Sequence, residues 1–407
     1  MRIVVIGAGS WGTTFASLLA EGGHAVALAC RDHEQARAIA KTGRNPRYLP
    51  QVDLSAVSAH VVADAPLAQA EAIVVAVPSR AFRDVVGALP AEETPVLSLA
   101  KGLDPVSGER LSTVAEGRPV AVLSGPNHAE EIAERLPAAA VIASAHAELA
   151  LALQEAVMSP RFRVYVNGDL VGVELCAAAK NVIALAAGAI DGMGIGSNAK
   201  AAVMTRGLAE MARLGCAAGA RSETFAGLAG MGDLIVTCWS HWSRNRRAGE
   251  LMARGYSPEE AEREIATAVE GIATAPVLRN LGRRLGVELP ITDAVCELLE
   301  GGSARDSILA VMSRRPTVEY EPEATATFGV SGGDDGRTRG HENSPPASPS
   351  SQPVGRENRQ QMAAHGDDAD GDEDEQERSA SGDPAGEGVG DGRREREQSR
   401  VDRLERA

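Results

Sequence analysis

Short, nearly unbroken apolar runs recur through the first 165 or so residues: IVVI (3–6), HAVALAC (24–30), AIVVAV (72–77), PVLSLA (95–100), PVAVLS (119–124), AAAVIAS (138–144) and FRVYV (162–166). Segments with helical spacing separate them. Strands that are apolar on both sides belong in a covered sheet, and their alternation with helices makes that sheet mostly parallel. From about residue 170 the chain turns to long Ala/Leu-rich segments, 170–192, 198–219, 244–255, 258–281 and 291–313. Their apolar residues fall at helical intervals, with glycines and prolines between the segments. The expected fold is therefore α/β: an N-terminal mostly parallel sheet domain over 1–168, then an all-helical domain over 169–317. At 318–407 Gly, Ser, Pro, Asp and Glu take over. That segment reads as a disordered acidic tail, unable to bury enough apolar surface to offset chain entropy.

Charge sharpens this division. The net charge is −15 over 407 residues, and the tail alone holds 22 acidic residues against 11 arginines. The body is close to neutral, without the basic stripe that nucleic acid would require. Five scattered cysteines lack metal-ligand spacing and read as buried thiols in a reducing compartment. The start, MRIVVIGAG, runs straight into a strand and has no signal-peptide pattern. Residues 175–190 come nearest to a membrane span, but Lys180 and Asn181 interrupt them. A cytoplasmic protein without membrane insertion is expected. No heptad seam compels self-association, so a homodimer stays open.

Gly7-Ala-Gly9-Ser10-Trp11-Gly12 follows the first strand and opens a helical segment. In that context GxGxxG marks a dinucleotide turn. The first glycine makes the turn, the second admits the pyrophosphate, and the third lets helix and strand meet. The sheet domain is thus Rossmann-type, binding NAD or NADP. At the end of the second strand Arg31 suits a 2′-phosphate and favours NADPH. Asp32 beside it keeps NADH admissible.

Lysine is scarce. Of 41 basic residues only Lys41, Lys101, Lys180 and Lys200 are lysines, yet Lys180 lies within the apolar stretch CAAAKNVIALAAGA. An unpaired buried ammonium is costly, so Lys180 needs a partner and a reason. Lys101 closes a strand at its carboxyl end, where α/β sheets place ligands, and SGPNHAEE (124–131) does the same after the next strand. Asp233 follows a glycine turn in GLAGMGDLIVTC. Ser243-Arg244-Asn245-Arg246 opens a helix with arginine at its positive end, an arrangement suited to a bound anion. Lys200 reads as a helix-start residue and Lys41 as surface, both without such neighbours.

Taken in order, GAGSWGTT, NPRYLP, KGL, SGPNHAEE, RVYVNGDLVGVELCAAAKNVIALAAGAIDGM, NAKAAVMTRGLAEMARLG, GMGDLIVTC, SRNRRAG and VEG resemble bacterial NAD(P)H-dependent glycerol-3-phosphate dehydrogenase. The resemblance spans residues 1 to about 315. It implies reduction of dihydroxyacetone phosphate to sn-glycerol 3-phosphate for glycerophospholipid synthesis, with no metal. It makes Lys180 the catalytic lysine and Asp233 its acidic neighbour. Lys101 would touch cofactor and substrate, Gly125 and Asn127 would line the substrate site, and Ser243, Arg244 and Asn245 would hold the substrate. Ser10, Trp11, Arg31, Tyr48, Ala129, Arg244 and Glu270 would contact the nucleotide. Two positions depart from the family: Trp239 where Thr is usual, and Ala177 where Gly is common before the lysine.

A lysine suits ketone reduction because its ammonium can both stabilise charge on the carbonyl oxygen and release a proton, which arginine does not. Related two-domain reductases of hydroxy acids, such as 6-phosphogluconate or 3-hydroxyisobutyrate dehydrogenases, share the architecture but lack the GMGDLIVTC…SRN combination. A non-catalytic NADP-binding protein is the alternative of a different class, and it would have no need of Lys180 and Asp233.

Overall fold

In the computed structural model, residues 1–90, 93–115 and 117–312 are described. Eight strands form one sheet: β1 (Arg2–Ile6), β2 (Ala25–Cys30), β3 (Val57–Val61), β4 (Ala72–Val75), β5 (Val96–Ser98), β6 (Val120–Ser124), β7 (Ala138–Ser144) and β8 (Phe162–Asn167). Their order is β3-β2-β1-β4-β5-β6-β7-β8. All pairs are parallel except β6 with β7. The strand order reverses between β1 and β4. Ligands of such sheets bind outside the carboxyl ends at that point. Separate apolar cores cover the two faces, one around Phe15, Leu28 and Phe162, the other around Ile6, Ile73 and Phe82. The expected covered, mostly parallel sheet is present.

One strand escapes the apolar-run reading. β3, VSAHV, is an edge strand paired only with β2, and only its two end valines are buried. An edge strand half open to water has no reason to be continuously apolar.

The helical half packs around Leu170–Met193, whose interior from Gly172 to Leu185 is buried without interruption. Asp169 caps it, accepting from Gly172 N at 2.9 Å, and Gly194 ends it in the left-handed region. By length and composition this helix could cross a membrane, contrary to the expectation that its polar pair disqualifies it. Here 83% of its most apolar window is buried inside the protein. Helix Arg244–Ala253 lies directly on it. A Cβ on Gly188 would sit 1.9 Å from the Arg246 carbonyl oxygen, and one on Gly249 would sit 2.0 Å from that of Leu185, so the contact needs both glycines.

Two long helical expectations divide. The 258–281 segment is Pro258–Ile265 and Glu270–Leu285, parted at Ala266, which adopts a left-handed φ of 60°. Glu262 takes up the Val269 N–H at 3.1 Å across the break. The 291–313 segment divides at Gly301 (φ 90°) into Pro290–Leu299 and Ala304–Met312. Apolar periodicity survives a short break, so spacing alone runs such helices together. The expected acidic tail, 318–407, lies outside the described residues.

Candidate active site

At the dinucleotide turn, Gly7 adopts φ +107°, and a Cβ there would meet the Ala76 carbonyl oxygen at 2.5 Å. A Cβ on Gly12 would lie 1.8 Å from the Gly7 carbonyl oxygen, whereas one on Gly9 would meet nothing within 4 Å. The middle glycine therefore opens onto space that a side chain would fill, at the start of helix Ser10–Glu21. This is what a pyrophosphate needs, so the turn fits the nucleotide. Buried Asn45 braces the turn, donating to the Ala8 carbonyl oxygen at 3.0 Å and to Thr13 Oγ1 at 2.7 Å. Its own carbonyl accepts from the backbone of Arg47 and Tyr48, tying the half-buried Tyr48 to the turn. Ser10 is partly exposed, and the Trp11 ring packs edge-on to Phe15 with its Nε1 buried and unpartnered.

Arg31 is exposed just beyond β2. Asp32 turns away, accepting from Glu34 N at 2.8 Å as the cap of helix His33–Thr42. The strand end thus carries a cation, while its neighbouring acid is engaged in the helix.

The second cluster forms where β5 and β6 end against the helical half. Lys180 is 5% exposed and Asp233 1%. Lys180 Nζ donates to Asp233 Oδ1 at 2.6 Å and to Thr237 Oγ1 at 2.8 Å. Lys101 Nζ donates to Asp233 Oδ2 at 2.9 Å, Asn127 Oδ1 at 2.7 Å and the Gly125 carbonyl oxygen at 3.2 Å. Ser124 Oγ and Gly125 N complete the shell of Asp233. One carboxylate thus sits between two ammonium groups.

Electrostatics follow from that geometry. Burial works against ionising Asp233, but the two lysines outweigh it and hold the carboxyl well below its usual range, at about 2. Burial also lowers Lys180, and Asp233 only partly restores it against the repulsion of Lys101, leaving it at about 8. Such a lysine exchanges a proton close to neutral pH.

Asp233 was expected after a glycine turn. Leu228–Gly232 instead forms a single π-helical turn running straight into helix Asp233–Trp239. A Cβ on Gly230 would lie 2.1 Å from the Phe225 carbonyl oxygen, so small residues allow the wide turn. Such turns are frequent at functional sites.

The SRN box reaches the same region. Ser243 caps helix Arg244–Ala253, accepting from Arg246 N at 3.2 Å, and Arg244 is exposed at its first position. Asn245 is buried: it donates to Asn181 Oδ1 at 2.9 Å and accepts from Gly271 N at 2.8 Å. Asn181 in turn donates to the Lys101 carbonyl oxygen at 2.8 Å. Next to Gly271, Glu270 opens its helix and accepts from both the backbone N–H and the hydroxyl of Ser79, just beyond β4. Burial raises its pKa against those bonds and the nearby Arg244 and Arg80 charges. Ala129 is buried, and its carbonyl accepts from Thr14 Oγ1 at 3.3 Å, joining the SGPN turn to the nucleotide helix.

Sequence reasoning passed over Thr237, Ser79, Ser124 and Asn45. Thr237 stands four residues after Asp233, one helical turn on, and that spacing was the available signal. Lys200, expected to lack neighbours, is 6% exposed, pairs with Asp191 at 2.7 Å and lies under the Trp239 ring at 4.8 Å. These partners come from other helices, so local sequence did not reveal them. Lys41 is exposed as expected. Cys30, Cys176, Cys238 and Cys296 are buried and Cys216 is exposed. No group of metal-ligating side chains occurs among the described residues.

A dinucleotide turn on a doubly wound sheet, joined to a helical half that brings a buried lysine–aspartate pair to the strand ends, defines a two-domain nicotinamide-dependent oxidoreductase. Family models of the NAD-dependent glycerol-3-phosphate dehydrogenase N-terminus and C-terminus match residues 2–150 and 169–310. The chain belongs to that family. It is 47% identical over 328 residues to glycerol-3-phosphate dehydrogenase [NAD(P)+] of Moorella thermoacetica, covering 78% of this chain and 98% of that one. The Chlorobium phaeobacteroides enzyme of the same name is 44% identical, covering 78% and 99%. Among solved structures, glycerol-3-phosphate dehydrogenase from Coxiella burnetii superimposes with a TM-score of 0.74 at 37% identity, covering 77% of this chain and 99% of that one.

Proposed function

We propose that this chain reduces dihydroxyacetone phosphate to sn-glycerol 3-phosphate in the cytoplasm, with NADPH preferred and NADH as the alternative, supplying backbone for glycerophospholipids. The sheet domain, 1–168, chiefly takes the nucleotide and the helical domain, 169–317, chiefly the substrate and its chemistry, with Lys101, Gly125, Asn127 and Glu270 crossing that division. The observation that carries this reading is the unequal use of the two ammonium groups. An ammonium has three N–H donors. Lys101 gives all three to protein acceptors, whereas Lys180 gives two, to Asp233 and Thr237. The third N–H of Lys180 is the one left for a substrate oxygen.

A nicotinamide nucleotide held at the glycine turn would supply the hydride for C2 of the ketone. Lys180 directs its free N–H at the carbonyl oxygen, steadies the negative charge that develops there and hands over the proton. Its lowered pKa makes that transfer easy near neutrality. Asp233 keeps Lys180 charged and aimed beforehand, and Thr237 fixes its direction. Lys101 holds Gly125 and Asn127 in place beside the substrate, and contacts it directly only by releasing one of its three bonds. The exposed Arg244 at a helix start, with Ser243 and Asn245 behind it, suits the substrate phosphate. Gly9, at the open middle of the turn that Gly7 and Gly12 shape, would hold the nucleotide with Ser10, Trp11, Tyr48, Ala129 and Glu270, and Arg31 would take its 2′-phosphate.

The test is loss of NADPH absorbance on adding dihydroxyacetone phosphate. Wild type consumes NADPH, and Lys180→Met slows turnover by roughly a hundred- to ten-thousand-fold while still binding the nucleotide. A wild type that binds NADPH and leaves this ketone untouched would refute the assignment.

A further inference from the structure

We propose that His128 recognises the hydroxyl group adjacent to the substrate's carbonyl, accepting its hydrogen bond and restricting the site to α-hydroxy ketones. This deepens, and rests on, the reading of the site as a ketone reductase.

Most polar atoms around the lysine pair are already engaged. Asp233 is well engaged: Oδ1 accepts from Lys180, Oδ2 accepts from Lys101, Ser124 and Gly125 N, and the single Thr237 hydroxyl proton lies between Oδ1 and the Asp233 carbonyl oxygen. Lys101 has no N–H to spare. Among the described residues around the pair, three groups have no partner: one N–H of Lys180, the Nδ2 amide of Asn127 and Nε2 of His128, the last two buried. The first two can only donate. An α-hydroxy ketone offers one carbonyl oxygen with two lone pairs and one O–H. Its carbonyl can take both donors, and its hydroxyl then requires an acceptor. His128 Nε2 is the one unused atom of the three able to supply it.

The position of the ring agrees. His128 directly follows Asn127 in the SGPN turn. The ring lies close to Val236, on the helix that begins at Asp233, and within reach of the Lys180, Lys101 and Asp233 charges. A neutral imidazole carries its proton on one nitrogen and a bare lone pair on the other, and with the proton on Nδ1 the unpartnered Nε2 is an acceptor. Burial first, then the Lys180 and Lys101 charges, lower His128 to about 4, against a smaller opposing effect of Asp233 and the Val236 backbone. The ring is therefore neutral at working pH. A bare nitrogen repels phosphate oxygens, so this atom suits a neutral hydroxyl and not the anionic end of the substrate. A buried acceptor left empty is also costly, which makes the site reject a ketone that lacks the hydroxyl.

The experiment compares kcat/KM for dihydroxyacetone phosphate and acetonyl phosphate, identical except for that hydroxyl, in wild type, His128→Phe and His128→Gln. Wild type is expected to favour dihydroxyacetone phosphate by about a hundredfold or more. His128→Phe reduces that ratio at least about tenfold, chiefly by losing the natural substrate. His128→Gln, whose amide oxygen is again an acceptor, recovers part of it. General damage to packing would lower both substrates together and leave the ratio unchanged. A folded His128→Phe protein with an unaltered ratio overturns the proposal. Equal use of both ketones by wild type overturns it without help from any variant, and still leaves the reductase assignment standing. Failure of wild type on both ketones removes the assignment itself.

Discussion

Two lysine–aspartate pairs each draw one member from the same long helix, Lys180 and Asp191, and their surroundings differ. Lys180 meets Asp233 at 2.6 Å and Lys200 meets Asp191 at 2.7 Å, with both lysines almost fully buried. In each pair a second cation shares the carboxylate: Lys101 on Asp233, Arg246 on Asp191. The surroundings separate them. Lys180 has polar neighbours and an unused N–H beside the ends of β5 and β6. Lys200 is roofed by the Trp239 ring, and its aspartate joins three helices, Leu170–Met193, Ser197–Ala217 and Arg244–Ala253. A buried ion pair is thus no sign of catalysis in itself. What sets the proposed catalytic pair apart is where its unused donor lies, at the strand ends where such sheets bind ligands, since Lys200, hydrogen-bonded to Asp191, also keeps N–H groups without an acceptor among the described residues.

The largest effect expected is from Asp233→Asn, which leaves two buried ammonium groups without their countercharge. A loss of about 3–5 kcal/mol is expected, read by urea melts, together with near-complete loss of turnover. An Asp233→Asn protein as stable and active as wild type would erase the distinction between the pairs. Next comes the pH profile. Reduction uses the charged form of Lys180, so kcat should fall as pH rises through about 8, while oxidation of glycerol 3-phosphate, needing the neutral amine, should rise through the same point. Lys200→Met should keep both breaks in place and cost about 1–3 kcal/mol of stability, since Asp191 retains Arg246. A displaced break in that variant would place Lys200 in the chemistry. Smallest is Trp239→Leu. It removes the ring over Lys200, at about 0.5–1 kcal/mol in thermal melts, with kcat unchanged.

Much of this was legible beforehand because it is local. Strands buried on both faces announce themselves as apolar runs, and a lysine in an apolar helix announces a need for a partner. Lys101, Asn127, Lys180 and Asp233 came from four separate segments and do meet. What stayed hidden was either half-solvated or non-local. Strand β3 lacks an apolar run because water covers part of it. Ala266 breaks a helix with a residue that favours helices, so composition carries no warning. Lys200 and Ser79 owe their roles to partners from distant segments, and His128 owes its own to atoms that others leave unused.

The line of amides from Gly271 to Lys101 has a polarity. Gly271 N donates to Asn245, Asn245 to Asn181, and Asn181 to the Lys101 carbonyl, so every proton in the row points the same way. Such a row behaves as a one-way valve for chemical ageing. Deamidation of Asn245 would leave its new carboxylate facing the Asn181 oxygen with no hydrogen between them, acceptor against acceptor. A change of a single atomic mass unit, invisible to any gross measure of shape, would part the segment that bears Glu270 from the one that bears Lys101. Both asparagines are themselves buried, so the row is shielded from the water that such a change consumes.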